Sequence, residues 1–203
     1  MSRKKLFAIS GGLVAVLMVV LLIFTTSDMP QFTSFLGYSG APVSGEGAIA
    51  YMSAEGNSQG HIEGDVREPG KENMHAIFKI DHHIEIPKDT HTGLPTGQRI
   101  HHPFTVTTQM SSNAPKLYKM CSTGEQGEVI INYWRTDESG REEHYFTIKL
   151  ENAIAVNVNH YKPTVFLPEN EPYGDMIEIA FTYSRITWID EIDGVEYTDD
   201  WKK

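Results

Sequence analysis

From Ala48 onward, apolar and polar residues alternate in steps of two, the pattern of strands with one buried face. The clearest run is Met74 to Ile86. Met74, Ala76, Phe78, Ile80, Ile84 and Ile86 share one parity, and His75, Lys79, Asp81, His83 and Glu85 share the other. This predicts one long strand with one wet face. Phe104, Val106 and Met110 alternate with Thr105, Thr107 and Gln109, and Val129, Ile131 and Tyr133 alternate with Ile130, Asn132 and Trp134. Phe146, Ile148, Leu150, Ile154, Val156 and Val158 keep one parity across Asn152; Ile177, Ile179, Phe181 and Tyr183 form a last stripe, with Glu178, Thr182 and Ser184 facing away. Glu138-Ser139-Gly140 and Asp193-Gly194 carry hairpin-turn chemistry, so the sheet is expected to be antiparallel.

One segment departs from the two-residue period. Pro115 to Ser122 reads as a helix, with Asn113 as its cap, Pro115 in the first turn, Leu117, Tyr118 and Cys121 on one face and Gly124 as its stop. Many short strands with a single helix predict a mainly β domain, a closed or nearly closed barrel that removes exposed strand edges.

Ahead of this domain the pattern is different. Leu6 to Phe24, with Leu13, Leu17 and Leu21 between them, carries no charge and is diluted only by Ser10, Gly11 and Gly12. As a helix it would be about 28 Å long, close to the ~30 Å hydrocarbon core of a bilayer. Arg3, Lys4 and Lys5 precede it, which places the N-terminus in the cytoplasm and the rest of the chain outside. The expected organisation is a basic stub and membrane helix over 1–24, a Ser/Thr/Gly/Pro-rich linker over 25–47, and the β domain over 48–203. Three readings of the apolar run stay open: a retained single-pass membrane anchor, which its length favours; a signal cleaved near Ser39-Gly40-Ala41, giving a secreted protein; or a start at Met29, giving a cytoplasmic one.

Charge narrows the partners. The formal net charge is -10, and the residues after Lys5 carry 14 basic against 27 acidic side chains. Such a surface repels phosphate backbones and excludes nucleic acid as a partner. A single cysteine, Cys121, permits no intrachain disulfide.

Several short segments, in order, resemble one family. Ala50-Tyr51-Met52 followed by Glu55 to Gly64 is similar to the opening strands of the type VI secretion tube proteins known as haemolysin-coregulated proteins, or Hcp. Asp81-His82-His83-Ile84-Glu85-Ile86-Pro87, Thr92-Gly93, Thr96-Gly97-Gln98-Arg99 and His101-His102-Pro103-Phe104 resemble the family's long extended loop. Leu117-Tyr118-Lys119, Tyr145-Phe146, Lys149 to Ala153, Ile186-Thr187-Trp188 and Asp200-Trp201 continue the likeness, so it covers residues 48–203. The resemblance implies a barrel with one helix, a hexameric ring that stacks into a tube, and contacts with spike, sheath and effector proteins. It implies no catalytic residues and no cofactor. A membrane segment is a departure from the family pattern.

The connection from Pro87 to Pro103 is long for a compact domain, and long ordered loops are usually functional. Its residues Pro87, Asp89, Thr92, Gly93, Thr96, Gly97, Arg99, His101 and Pro103 are the candidate ring-stacking site. Nine histidines, among them His82-His83 and His101-His102, invite a metal reading. Adjacent strand residues point to opposite faces, so neither pair alone chelates an ion, and solvated histidines are the expectation. Cys121 is expected to be a buried, inert thiol, and Glu142-Glu143 and Asp199-Asp200 to be solvated carboxylates beside turns. Trp134, Trp188, Tyr197 and Trp201 support an alternative, a lectin-like binding module, although strand aromatics more often fill cores.

Overall fold

The computed structural model describes residues 47–164, 166–167, 170 and 174–201. The apolar run from Leu6 to Phe24 and its anchor residues lie outside the described residues, as does the linker before Gly47. Among the described residues no helix is long and apolar enough to cross a membrane.

Among the described residues eleven strands and one helix succeed one another: β1 (Ala50–Gly56), β2 (Gly60–Ile62), β3 (His75–Asp81), β4 (Ile84–Glu85), β5 (Ile100–His101), β6 (Phe104–Gln109), α1 (Ala114–Thr123), β7 (Gln126–Thr136), β8 (Glu142–Tyr161), β9 (Met176–Thr182), β10 (Arg185–Asp190) and β11 (Glu196–Asp200). Six of the strands close a ring, β1-β3-β6-β9-β8-β7, antiparallel at every step. Its interior holds Ile77, Val106, Val129, Ile131, Leu150, Ile177, Ile179 and Phe181, all fully buried. Burying one such side chain stabilises the fold by about 1.5–3 kcal/mol.

Closure depends on β8, which spans 20 residues and pairs twice along one edge. Ile154 to Tyr161 pairs with β9, and Phe146 to Glu151 pairs with β10. β9 and β10 therefore form one path along β8, interrupted at Tyr183 and Ser184. Beyond them β9 meets β6 but β10 meets β11, so the sheet forks at Tyr183. Asn152 marks the same level on β8. Its φ of 52° lies in the left-handed region that asparagine tolerates, and its side-chain amide donates to Ser184 Oγ at 2.7 Å.

Two expected stripes are corrected by bulges, each of which adds a residue and reverses the parity of its successors in the strand. The register slips at Asn152, so Ala153 and Ala155 are buried in place of Ile154 and Val156. A second slip, between Ala155 and Asn157, leaves Val156 exposed and returns Val158 to the core. In β3 the slip lies between Ile77 and Lys79. Before it, His75 and Ile77 are buried, while Ala76 packs with Tyr51 and Val66 in a second apolar cluster outside the barrel core; after it, Ile80 packs on the core. Nor does the strand run from Met74 to Ile86: β3 ends at Asp81, and β4 pairs with β5 in a separate two-stranded sheet.

The helix forms where expected, one residue longer at each end. Leu117 and Met120 are fully buried and Cys121 packs against the core, while Gly124 at φ 65° ends the helix. Asn113 stands at the cap position without a side-chain cap bond, contrary to expectation.

Candidate functional site

The connection from β3 to β6, expected as a loop, is a hairpin. Ile84 faces His101 and Glu85 faces Ile100 in antiparallel register, and His102 N–H donates to the His83 carbonyl at 3.0 Å. Further out, Lys88 bridges Pro95, and the Pro87 carbonyl accepts from Thr96 N–H at 2.8 Å. The tip is closed by Asp89. Its Oδ1 accepts from the backbone N–H of His91 and Thr92 at 3.0 and 2.7 Å, and its carbonyl accepts from Gly93 N–H at 2.8 Å. These donors hold the Asp89 carboxyl below its usual range, the Thr92 N–H most of all. Asp190 closes the β10–β11 turn in the same way, accepting from Ile192, Asp193 and Gly194, with Gly93 and Gly194 at φ 70° and 68°. A carboxylate that caps its own turn, with glycine four residues on, is a signal readable in sequence.

The root of the hairpin is tied to the fork in the sheet. Arg99 grips Asp199 of β11 with two N–H donors, one at 2.6 Å from Nε to Oδ2 and a second from the terminal nitrogen to Oδ1. His101 Nε2 lies 3.1 Å from Asp199 Oδ2 and its Nδ1 lies 2.9 Å from the Tyr183 hydroxyl, which also meets His82 Nε2 at 2.7 Å. A carboxylate only accepts, so His101 Nε2–H donates to Asp199, while the Tyr183 hydroxyl lies between His101 Nδ1 and His82 Nε2. The His101 ring stacks on Trp201 with centroids 5.5 Å apart and planes within 9°.

The electrostatics fit a lock. Arg99 first, and His101 after it, keep the Asp199 carboxyl below its ordinary range; burial raises the Tyr183 hydroxyl far above its own and lowers His82 to about 4. Asp199, expected to be solvated, is thus a buried anchor. A row of carboxylate, imidazole and hydroxyl has the atoms of a proton relay, yet Tyr183 and the His101 side chain are each 1% exposed.

Of the predicted stacking residues, Arg99 and His101 join this lock, Pro87, Asp89, Thr92, Gly93 and Thr96 build the ordered tip, and Gly97 and Pro103 lie exposed on either side of β5. The sequence pattern does not single out His82, Tyr183 and Asp199, which lie between β3 and β4, between β9 and β10, and on β11. The histidine pairs split as strand geometry requires: His82 and His101 face the barrel, His83 and His102 face away. The outward pair comes together across the two strands beside Glu85. The four aromatic residues form no shared platform. Trp134 stacks on His144 and Trp201 on His101, while Trp188 and Tyr197 stack on each other. Glu142 and Glu143, expected to be merely solvated, bind Lys71 and Arg135.

Residues 51–189 match the family described as "Type VI secretion system effector, Hcp". The chain belongs to the Hcp family. A "Major exported protein" of Pseudomonas aeruginosa strain PAO1 is 34% identical over 163 residues, covering 75% of this chain and 95% of the relative. A crystal structure of an Hcp protein aligns with a TM-score of 0.71 at 29% identity, over 76% of this chain and 98% of the other. The secreted Hcp3 protein of P. aeruginosa aligns at 0.61 and 30% identity, over 75% and 99%. The six-stranded barrel, single helix and side hairpin are thus an Hcp fold.

Proposed function

We propose that this chain is a tube-forming structural protein of a type VI secretion system, assembling as hexameric rings that stack through the β4–β5 hairpin. The carrying observation is that the hairpin is ordered and rigidly rooted yet holds apolar side chains off the barrel. Ile86 and Leu94 are 52% and 65% exposed, and Ile84 and Ile100, on opposite faces of the hairpin, are exposed as well. An apolar surface held out on a fixed arm is suited to cover by another copy. Ring and stack formation both need heterologous contacts, in which one surface meets a different surface of the next copy, and a barrel with one projecting arm provides two unlike surfaces. Membership of the Hcp family and the likeness to an exported relative support the same reading. The role is assembly, with spike, sheath and effector proteins as the partners that the family implies, and it requires no enzymatic activity.

In an anchored form, residues 1–24 would hold the β domain outside the inner membrane through the linker 25–47, away from a tube assembled in the cytoplasm; the secreted form is the alternative that the exported relative supports. Mass spectrometry of the N-terminus in membrane, soluble and medium fractions decides between them. The stacking role is tested by deleting Thr90 to Gly97 and imaging assemblies by electron microscopy. The expected result is intact rings that no longer stack; unaltered stacking would remove the hairpin from the interface.

A further inference from the structure

The two histidine pairs do not chelate as pairs, but the hairpin recombines them. His83 and His102 stand opposite each other across β4 and β5, joined by the backbone bond from His102 N–H to the His83 carbonyl, and Glu85 lies two residues beyond His83 on the same face. Their rings are 5.0 Å apart between centroids. Glu85 Oε1 is 3.0 Å from His102 Nε2 and its Oε2 is 3.7 Å from His83 Nε2; one ligand atom from each of the three residues falls within 4.8 Å of the others.

We propose that His83, Glu85 and His102 bind a divalent transition-metal ion of the zinc, copper and nickel class at the root of the hairpin. The donor set is two imidazoles and one carboxylate, which suits those ions and not calcium or magnesium. Ligands of a tetrahedral zinc site lie about 3.3 Å apart, given bonds of about 2.0–2.1 Å. The observed spacings reach that by rotating side chains that are 61%, 47% and 44% exposed, on a backbone that the ladder already fixes. In the metal-free protein Glu85 accepts from His102 Nε2–H, and the ion replaces that proton. Three ligands from one chain leave a coordination position open to water or to a group on a neighbouring molecule. The inference concerns the hairpin alone and stands apart from the stacking role.

The test is titration of the purified full chain, without a polyhistidine tag, with Zn2+ by calorimetry, and with Co2+ by visible absorption. One ion per chain is expected, together with Co2+ bands of a low-symmetry site. His83→Ala and His102→Ala should each weaken binding by at least about tenfold, with unchanged thermal melts because both side chains are exposed. His160→Ala, which alters an exposed pairing with Asp175 elsewhere on the domain, should leave it unchanged. Absence of binding by the unaltered chain, or unchanged uptake in a His83→Ala/His102→Ala double variant, would overturn the proposal.

Discussion

Arg99 and Asp199, 100 residues apart in the chain, meet in a two-point ion pair that fixes the root of the β4–β5 hairpin to the last strand of the sheet. Planar guanidinium and carboxylate groups match in this geometry, so the pair sets direction as well as proximity. The hairpin thereby leaves the barrel at a defined angle, held on one side by β11 and on the other by Tyr183 at the fork.

Loss of that pair should loosen the arm before it unfolds the barrel. In Arg99→Ala, hydrogen exchange at the Asp89 and Thr96 amides, both bonded within the hairpin, should accelerate, while amides of the β1–β7 ladder keep their protection. Equal acceleration in both would make the pair a determinant of global stability instead.

Tyr183→Phe keeps the buried ring and removes only the hydroxyl shared by His82 and His101. Leaving two buried imidazole nitrogens without that partner should cost about 1–3 kcal/mol in denaturant melts.

Stability should fall on mild acidification. Burial lowers the pKa of His82 to about 4 and also lowers that of His75, both from an ordinary value of 6.5. Between pH ~6.5 and ~4 the unfolded chain binds more protons than the folded one, so stability is present above that window and lost as pH falls through it. Asp199, depressed below 3.8 by Arg99, carries the same sign at lower pH. Melting curves across this range should show the slope, and His82→Gln should flatten it.

Gly127 faces Gly56 across the β1–β7 ladder, and a methyl group placed on it would lie 2.0 Å from the Glu55 carbonyl oxygen. Only backbone displacement relieves that contact, so Gly127→Ala should destabilise by at least about 1–3 kcal/mol, measured by chemical unfolding.

Ile86→Asp with Leu94→Asp should leave the melting of the isolated subunit within about 0.5 kcal/mol of the parent, since both side chains are exposed. Ring stacking, monitored by light scattering and electron microscopy, should be lost.

Much of the architecture was legible in the chain. Ile177, Ile179, Phe181 and Tyr183 alternate and are buried as their parity requires, α1 lies between Asn113 and Gly124, and the order of short motifs identified the family. Where legibility ended, it ended at bulges. At Asn152 and near Phe78 one inserted residue reverses the facing of its successors, and no change in composition announces it. The hairpin reads as a loop along the chain because its strands are two residues each, too short for periodicity, although Asp89 and Gly93 mark its turn.

What the sequence determined by itself was local: which residues can alternate, where the chain turns, and that adjacent histidines must face opposite ways, because backbone geometry within a few residues dictates all three. What only the tertiary structure decided was which distant groups meet. His82, His101, Tyr183 and Asp199 form one lock because β8 pairs with both β9 and β10 and so opens a fork that the hairpin root fills, and His83, Glu85 and His102 form one cluster because β4 pairs with β5. That meeting depends on strand register between segments up to 101 residues apart. The pattern along the chain does not encode that register locally, since a shift of one residue in any ladder would present the opposite face.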